Sequence, residues 1–251
     1  MSGFQTFGVT HWVMLAIFVV GIWPAVRLGR RHRDTPAART FSRGFALAIP
    51  AFTIPMQAID FMPGQYDFDT TLPLQLCDFA WVAAVFALWT HHRYAVALTY
   101  YWGLLLTSQA LITPWLNADF PSPKFFGYWG MHSLIVWAAI YLVWGLGITP
   151  RWRDYAATIA TTAAWAIGVY VFDVLTDTNY GFLVEKPSSS SILDFFGPWP
   201  VYVLVEIALI AGVWALMTWP WTRRAGQPEA SIFARSRSGE SDVASRPASQ
   251  A

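Results

Sequence analysis

LPLQLCDFAWVAAVFALWT, residues 72–90, sets the fold class of the chain. It is apolar over most of its length, and about 20 such residues in a helix cross a bilayer. Near its start it carries an amide, a thiol and a carboxylate: Gln75, Cys77 and Asp78. Thr71 suits the helix cap and Pro73 the first turn. The spacing therefore predicts a membrane helix from Leu72, with Cys77 a turn beyond its first residues. Cys77 is the single cysteine in 251 residues, which excludes an intramolecular disulfide and any multi-cysteine metal site.

Six more apolar runs flank this one, at residues 10–26, 42–61, 94–113, 128–148, 155–175 and 199–219. The chain is 55% hydrophobic and 12% charged, whereas soluble domains are about 25% charged. Its 15 tryptophans fit a protein with many membrane–water interfaces. The expectation is an all-α membrane protein with seven transmembrane helices over residues 1–221. Residues 222–251 are rich in Ser, Arg, Gly, Glu, Pro and Ala and read as a disordered cytoplasmic tail. The first ten residues hold no Lys or Arg, and no small-residue cleavage site follows the first apolar run, so that run reads as a retained span rather than a signal peptide.

Placing the N-terminus outside and the C-terminus inside puts 14 of the 16 basic residues on the inner side. Only Lys124 and Lys186 are left outside, which is the positive-inside pattern. The basic inner face is explained by topology and by anionic lipid, and nucleic-acid binding is not expected. In this orientation the polar residues of the spans gather in the outer half: Gln57, Asp60, Gln75, Cys77, Asp78, Ser108, Gln109, His132, Ser133, Asp173 and Glu206. Charges are costly deep in lipid, so their shared level suggests a hydrated cavity opening outward. The alternative is a set of separate interhelical hydrogen bonds.

Cysteine is a strong nucleophile once deprotonated, and a nearby imidazole can take its proton. Cys77 and His132 are the candidate pair, each expected about 6–8 Å past the start of its helix. They meet only if the third and fifth spans pack together. Asp78 or Asp173 could orient the histidine, and Gln75 or Gln109 could donate to an oxyanion. His11 begins the first span and could reach the same cavity, while His32, His91 and His92 fall on the basic side. No histidine spacing points to a metal, and no cofactor is expected.

The 72–78 motif also resembles the signature of the YwaF-like bacterial integral membrane proteins. Further matches keep their order: Tyr101-Trp102-Gly103, Gln109 through Pro114, Phe125-Phe126 with His132, Thr178 through Leu183, Lys186-Pro187, and Leu193-Asp194 with Gly197 through Pro200. The resemblance runs from about residue 40 to 220. It implies a multi-pass protein of a bacterial cell membrane. It also implies kinship with a vertebrate acyltransferase that moves acyl chains between phospholipids to make ether lipids. That enzyme uses a cysteine and a histidine on separate helices, and the matching positions are Cys77 and His132. More distant androgen-regulated hydrolases of fatty-acid esters use threonine and histidine in a comparable core. The chain departs from the pattern at Gln75, where histidine is usual, and at Asp173, where asparagine is. The same kinship places Asn179, Tyr180 and Lys186 on an outer loop covering the cavity, with Lys186 able to meet a phosphate or carboxylate headgroup. A surface ion pair of Lys186 with Glu185 or Asp194 is the plainer reading.

Two functions of different class follow. One is a lipid acyltransferase or lipid-ester hydrolase working through Cys77 and His132, with a membrane phospholipid or fatty-acyl ester as partner. The other is a transporter or small-ligand-binding protein with an outward-facing acidic pocket, for which kinks at Pro50 and Pro55 are the best support. A retinal-type receptor needs a buried lysine for its Schiff base, and both lysines fall in outer loops.

Overall fold

The computed structural model describes residues 4–116, 118–187 and 192–225. All regular structure among them is helical. Seven long helices run in order: α1 (Val9–His32), α2 (Pro36–Asp60), α3 (Leu76–Thr90), α4 (Arg93–Ile112), α5 (Pro123–Gly145), α6 (Trp152–Thr176) and α7 (Val201–Ala225). Five of them, α1 and α4 to α7, are long and apolar enough to cross a membrane. Helix α3 is apolar but only 15 residues long, and α2 carries Arg39, Arg43 and Asp60 with two internal prolines. Between α6 and α7 runs a strap with two 3₁₀ turns, Tyr180–Phe182 and Ile192–Phe196.

Local chemistry sets the helix ends. Pro36 and Pro123 open α2 and α5 at the position where proline's missing N–H costs nothing. Asp154 caps α6 by accepting the Arg151 N–H at 2.9 Å. His91 and Asp177 take left-handed conformations that stop α3 and α6.

Helix α5 is the axis of the bundle and packs against α1, α2, α3 and α4. In its most apolar stretch 67% of residues are buried, against 6% for α1 and 17% for α6 and α7. The outer helices leave large apolar side chains uncovered, including Val20 at 71% exposure and Leu175 at 79%. Apolar surface on this scale is stable only against lipid, and the protein is a multi-pass membrane protein.

Tight contacts and buried hydroxyls join the helices. Gly29 of α1 meets Gly145 of α5, where a Cβ on Gly29 would lie 2.4 Å from the Gly145 Cα. Beside this crossing, α5 loosens into a π-helical turn at Tyr141–Gly145. Arg33 donates to the Gly145 carbonyl from Nε at 3.0 Å and Nη2 at 2.7 Å. Helix α4 also holds a π turn, Trp102–Thr107. Around it Trp102 donates to Thr162 Oγ1 of α6 at 2.9 Å, and Tyr101 bonds Thr218 of α7 at 2.7 Å. Tyr94 bonds Thr161 as well. The half opposite the one where the polar residues were expected to gather is thus wired by hydroxyls of tyrosine and threonine. At the same arginine-rich end, guanidinium groups lie over exposed tryptophans: Arg27 over Trp23, Arg43 over Trp89 and Arg223 over Trp219.

Several boundaries differ from expectation. Helix α5 begins at Pro123 rather than Tyr128, because Pro123 makes a better first turn than the aromatic residues after it. Helix α7 runs on to Ala225, past the expected start of the tail, and residues 226–251 lie outside the described residues. The correction that bears on the candidate site is α3, which starts at Leu76 and not Leu72.

Gly29→Leu should force α1 off α5 and cost about 1–3 kcal/mol. Its thermal midpoint in detergent should fall clearly below that of Gly44→Ala and Gly168→Ala, where an added Cβ meets nothing within 4 Å. Equal midpoints for all three would contradict the close crossing.

Candidate functional site

The later start of α3 changes the setting of the thiol. Gln75 is the helix cap: its carbonyl accepts the Asp78 N–H at 2.9 Å, and Asp78 Oδ2 accepts the Gln75 N–H at 3.0 Å. Cys77 is therefore the second residue of α3, within the first turn, where backbone N–H groups have no partner in the helix. The side chain is partly accessible. A helix N-terminus is a favourable place for a thiolate, a benefit that a start at Leu72 would have forfeited.

His132 lies on α5 and is 2% exposed. Its Nδ1 lies 2.7 Å from the Tyr128 carbonyl oxygen. A carbonyl only accepts, so Nδ1 carries the hydrogen and Nε2 holds the lone pair of the neutral ring. Nε2 has no hydrogen-bond partner among the described residues. The ring packs on Tyr128, with centroids 4.2 Å apart. Tyr128 in turn donates to the Ala110 carbonyl at 2.7 Å. The packing of α3 on α5, required for any meeting of the two residues, is present.

Among the described residues the partner of the imidazole is a backbone carbonyl and not either aspartate expected as third member. Asp78 is taken up by the Gln75 N–H and by Gln57 Nε2 of α2 at 2.9 Å. Asp173 Oδ1 accepts from Thr178 Oγ1 at 2.8 Å and from the Tyr180 N–H at 2.9 Å, so it fastens the strap to α6. The Tyr128 carbonyl does the orienting, and a backbone partner one helical turn away leaves no side-chain signal to read.

The remaining candidates separate into structural and cleft-lining groups. Gln109 is exposed and donates to Thr113 Oγ1 at 3.0 Å, on its own helix. Asn179 donates to the Glu185 carbonyl at 2.7 Å and closes the strap on itself. Tyr180 is fully buried, with its hydroxyl accepting the Leu72 N–H at 3.1 Å and donating to the Phe68 carbonyl. Lys186 sits with Nζ 5.5 Å from the centre of the Tyr202 ring. A cleft of about 370 Å³ lies under the strap, lined among others by Asp69, Gln75, Trp115, Asn179, Glu185 and Lys186. Gln75 thus both caps α3 and faces the cleft. His11 is structural, since its Nδ1 accepts the Phe7 N–H at 2.8 Å and its Nε2 lies 2.9 Å from the Leu111 carbonyl. Tyr128 and Trp165 were missed by the sequence reading. Tyr128 could have been found from its four-residue spacing to His132. Trp165 counted only as apolar.

The TMEM164 family model matches residues 6–218, which takes in almost all of the seven helices. The chain belongs to the TMEM164 family. No curated protein and no solved structure matches it.

In this TMEM164-family chain the buried Asp173 leaves one oxygen, Oδ2, without a partner among the described residues. Asp173→Asn keeps the Oδ1 acceptor and removes a buried charge. It should melt at or above the parent temperature, while Asp173→Ala should lose about 1–3 kcal/mol with its two bonds. Equal losses in the two variants would show that the charge itself is required.

Proposed function

We propose that the chain is a lipid acyltransferase or lipid-ester hydrolase with Cys77 as nucleophile and His132 as base, acting at the outer half of a bacterial cell membrane. In this reading it belongs with the YwaF-like members of its family. Seven spans cross the bilayer with the N-terminus outside and the C-terminus inside. The observation that carries the proposal is the set tautomer of His132: its Nδ1–H is spent on the Tyr128 carbonyl and its Nε2 lone pair is left over, on a helix that packs against the one bearing Cys77. The resemblance carried by the sequence motifs implies the same pair.

The chemistry follows from those two groups. His132 Nε2 takes the Cys77 proton as the sulfur attacks an acyl carbonyl. A C–S bond forms, and the ester C–O bond breaks when the tetrahedral intermediate collapses. The imidazolium returns the proton to the departing lysolipid oxygen. In the second half a lysolipid hydroxyl or water gives its proton to His132 and attacks the thioester. The C–S bond breaks and the thiol is restored. The cleft under the strap receives the polar end of the substrate, with Lys186, Asn179 and Gln75 in its wall. An acidic cleft also suits a small-cation carrier, and uptake that persists in Cys77→Ser would favour that second reading.

Phospholipid acyl distributions should be compared in cells lacking the protein and complemented with each variant. Cys77→Ala and His132→Ala should each fail to restore the parent profile, as expected from losses of about 10²–10⁴ in rate on removing a general base. Full restoration by both variants would sink the catalytic reading. A membrane-impermeant maleimide should label Cys77 in intact cells. Labelling only after the membrane is opened would reverse the orientation.

A further inference from the structure

Residues 72–75 are not helical, although Pro73 would suit a first turn and the segment is apolar. Their backbone groups are held by side chains and backbone from distant parts of the chain. The Leu72 N–H donates to the Tyr180 hydroxyl at 3.1 Å, and the same hydroxyl donates to the Phe68 carbonyl. The Trp165 indole N–H of α6 donates to the Leu74 carbonyl at 3.0 Å. The Gly181 N–H donates to Gln75 Oε1 at 3.0 Å. Gly181 has φ +68°, and a Cβ there would lie 2.7 Å from the Trp165 ring, so the strap is seated directly on that tryptophan. Asp173 completes the connection by tying the Tyr180 N–H to α6.

We propose that Tyr180, Trp165 and Gln75 form a clamp that stops α3 at Leu76 and thereby holds Cys77 in the first turn of the helix, as positioning residues for the thiol. Without the clamp, α3 is free to wind back toward Pro73. The Cys77 N–H would then turn to the Pro73 carbonyl and be spent inside the helix instead of standing free at its open end. Asp78 follows the thiol on α3, and Tyr128 and His132 lie on α5, which packs against it. Asp78 Oδ2 accepts the N–H of Gln75, a clamp residue, so the clamp bears on the thiol through the helix start and its cap together.

This inference rests on the reading of Cys77 as the working thiol, but its test measures thiol chemistry and not lipid turnover, so the two can fail separately. Because Cys77 is the only cysteine, alkylation of the full-length protein in lipid nanodiscs reports on it alone. Rates with a small maleimide would be measured across pH for the parent, Tyr180→Phe, Trp165→Phe and Trp102→Phe. Trp102→Phe loses a comparable indole hydrogen bond, to Thr162, that takes no part in the clamp. The clamp predicts that Tyr180→Phe and Trp165→Phe label about tenfold more slowly at neutral pH, with the pH profile displaced by about one unit, and that Trp102→Phe overlays the parent. Should one clamp variant fail to fold, the other decides. Profiles of the clamp variants that superimpose on the parent, rates that change by one factor at every pH, or an equal change in Trp102→Phe would overturn the proposal.

Discussion

Inside an apolar bundle every backbone N–H and C=O that leaves the helical pattern must find another partner, because lipid offers none. Two departures from regular helix in this protein are governed by that constraint. The π turn at Tyr141–Gly145 exposes carbonyls at the arginine-rich end, and Arg33 meets the Gly145 carbonyl. The non-helical stretch before α3 exposes groups at the thiol end, and Tyr180 and Trp165 meet those, while Gln75 of the stretch accepts the Gly181 N–H of the strap. The first arrangement accompanies the close crossing of α1 on α5. The second sets where α3 begins and so where the only thiol of the chain stands.

The distribution of burial gives these local solutions their setting. Helices α4 and α5 form the interior, while α1, α6 and α7 turn most of their apolar surface outward. Helix α6 is held partly by hydroxyl and indole bonds to α4 and partly by the strap that leaves its end. The strap roofs the cleft, and Gln75 belongs to both the cleft wall and the cap of α3. A ligand-sized space and the thiol-bearing helix are therefore joined through one residue.

The helices themselves were legible because long apolar runs leave few alternatives, but Pro36 and Pro123, which open two of them, lie outside the apolar runs and were not read as starts. The register of α3 was not legible. Thr71 and Pro73 are sound local signals for a start at Leu72, yet the deciding partner, Tyr180, lies 108 residues away. The pairing of α3 with α5 was posed by the sequence as a condition and is met in the fold. The orientation of His132 was hidden because its partner is a backbone carbonyl rather than either aspartate. Asp173 looked like a catalytic orienter for the same reason that it serves the strap: it is a carboxylate at the end of a span, and only three-dimensional placement separates those roles.

The most direct test of the account is intact-protein mass spectrometry of the purified chain after incubation with phospholipid vesicles. The account predicts an added fatty-acyl mass that maps to Cys77, is released by hydroxylamine as a thioester is, and is absent from Cys77→Ala. An unmodified Cys77 alongside measurable turnover of acyl chains, or an acyl adduct that persists in Cys77→Ala, would contradict it.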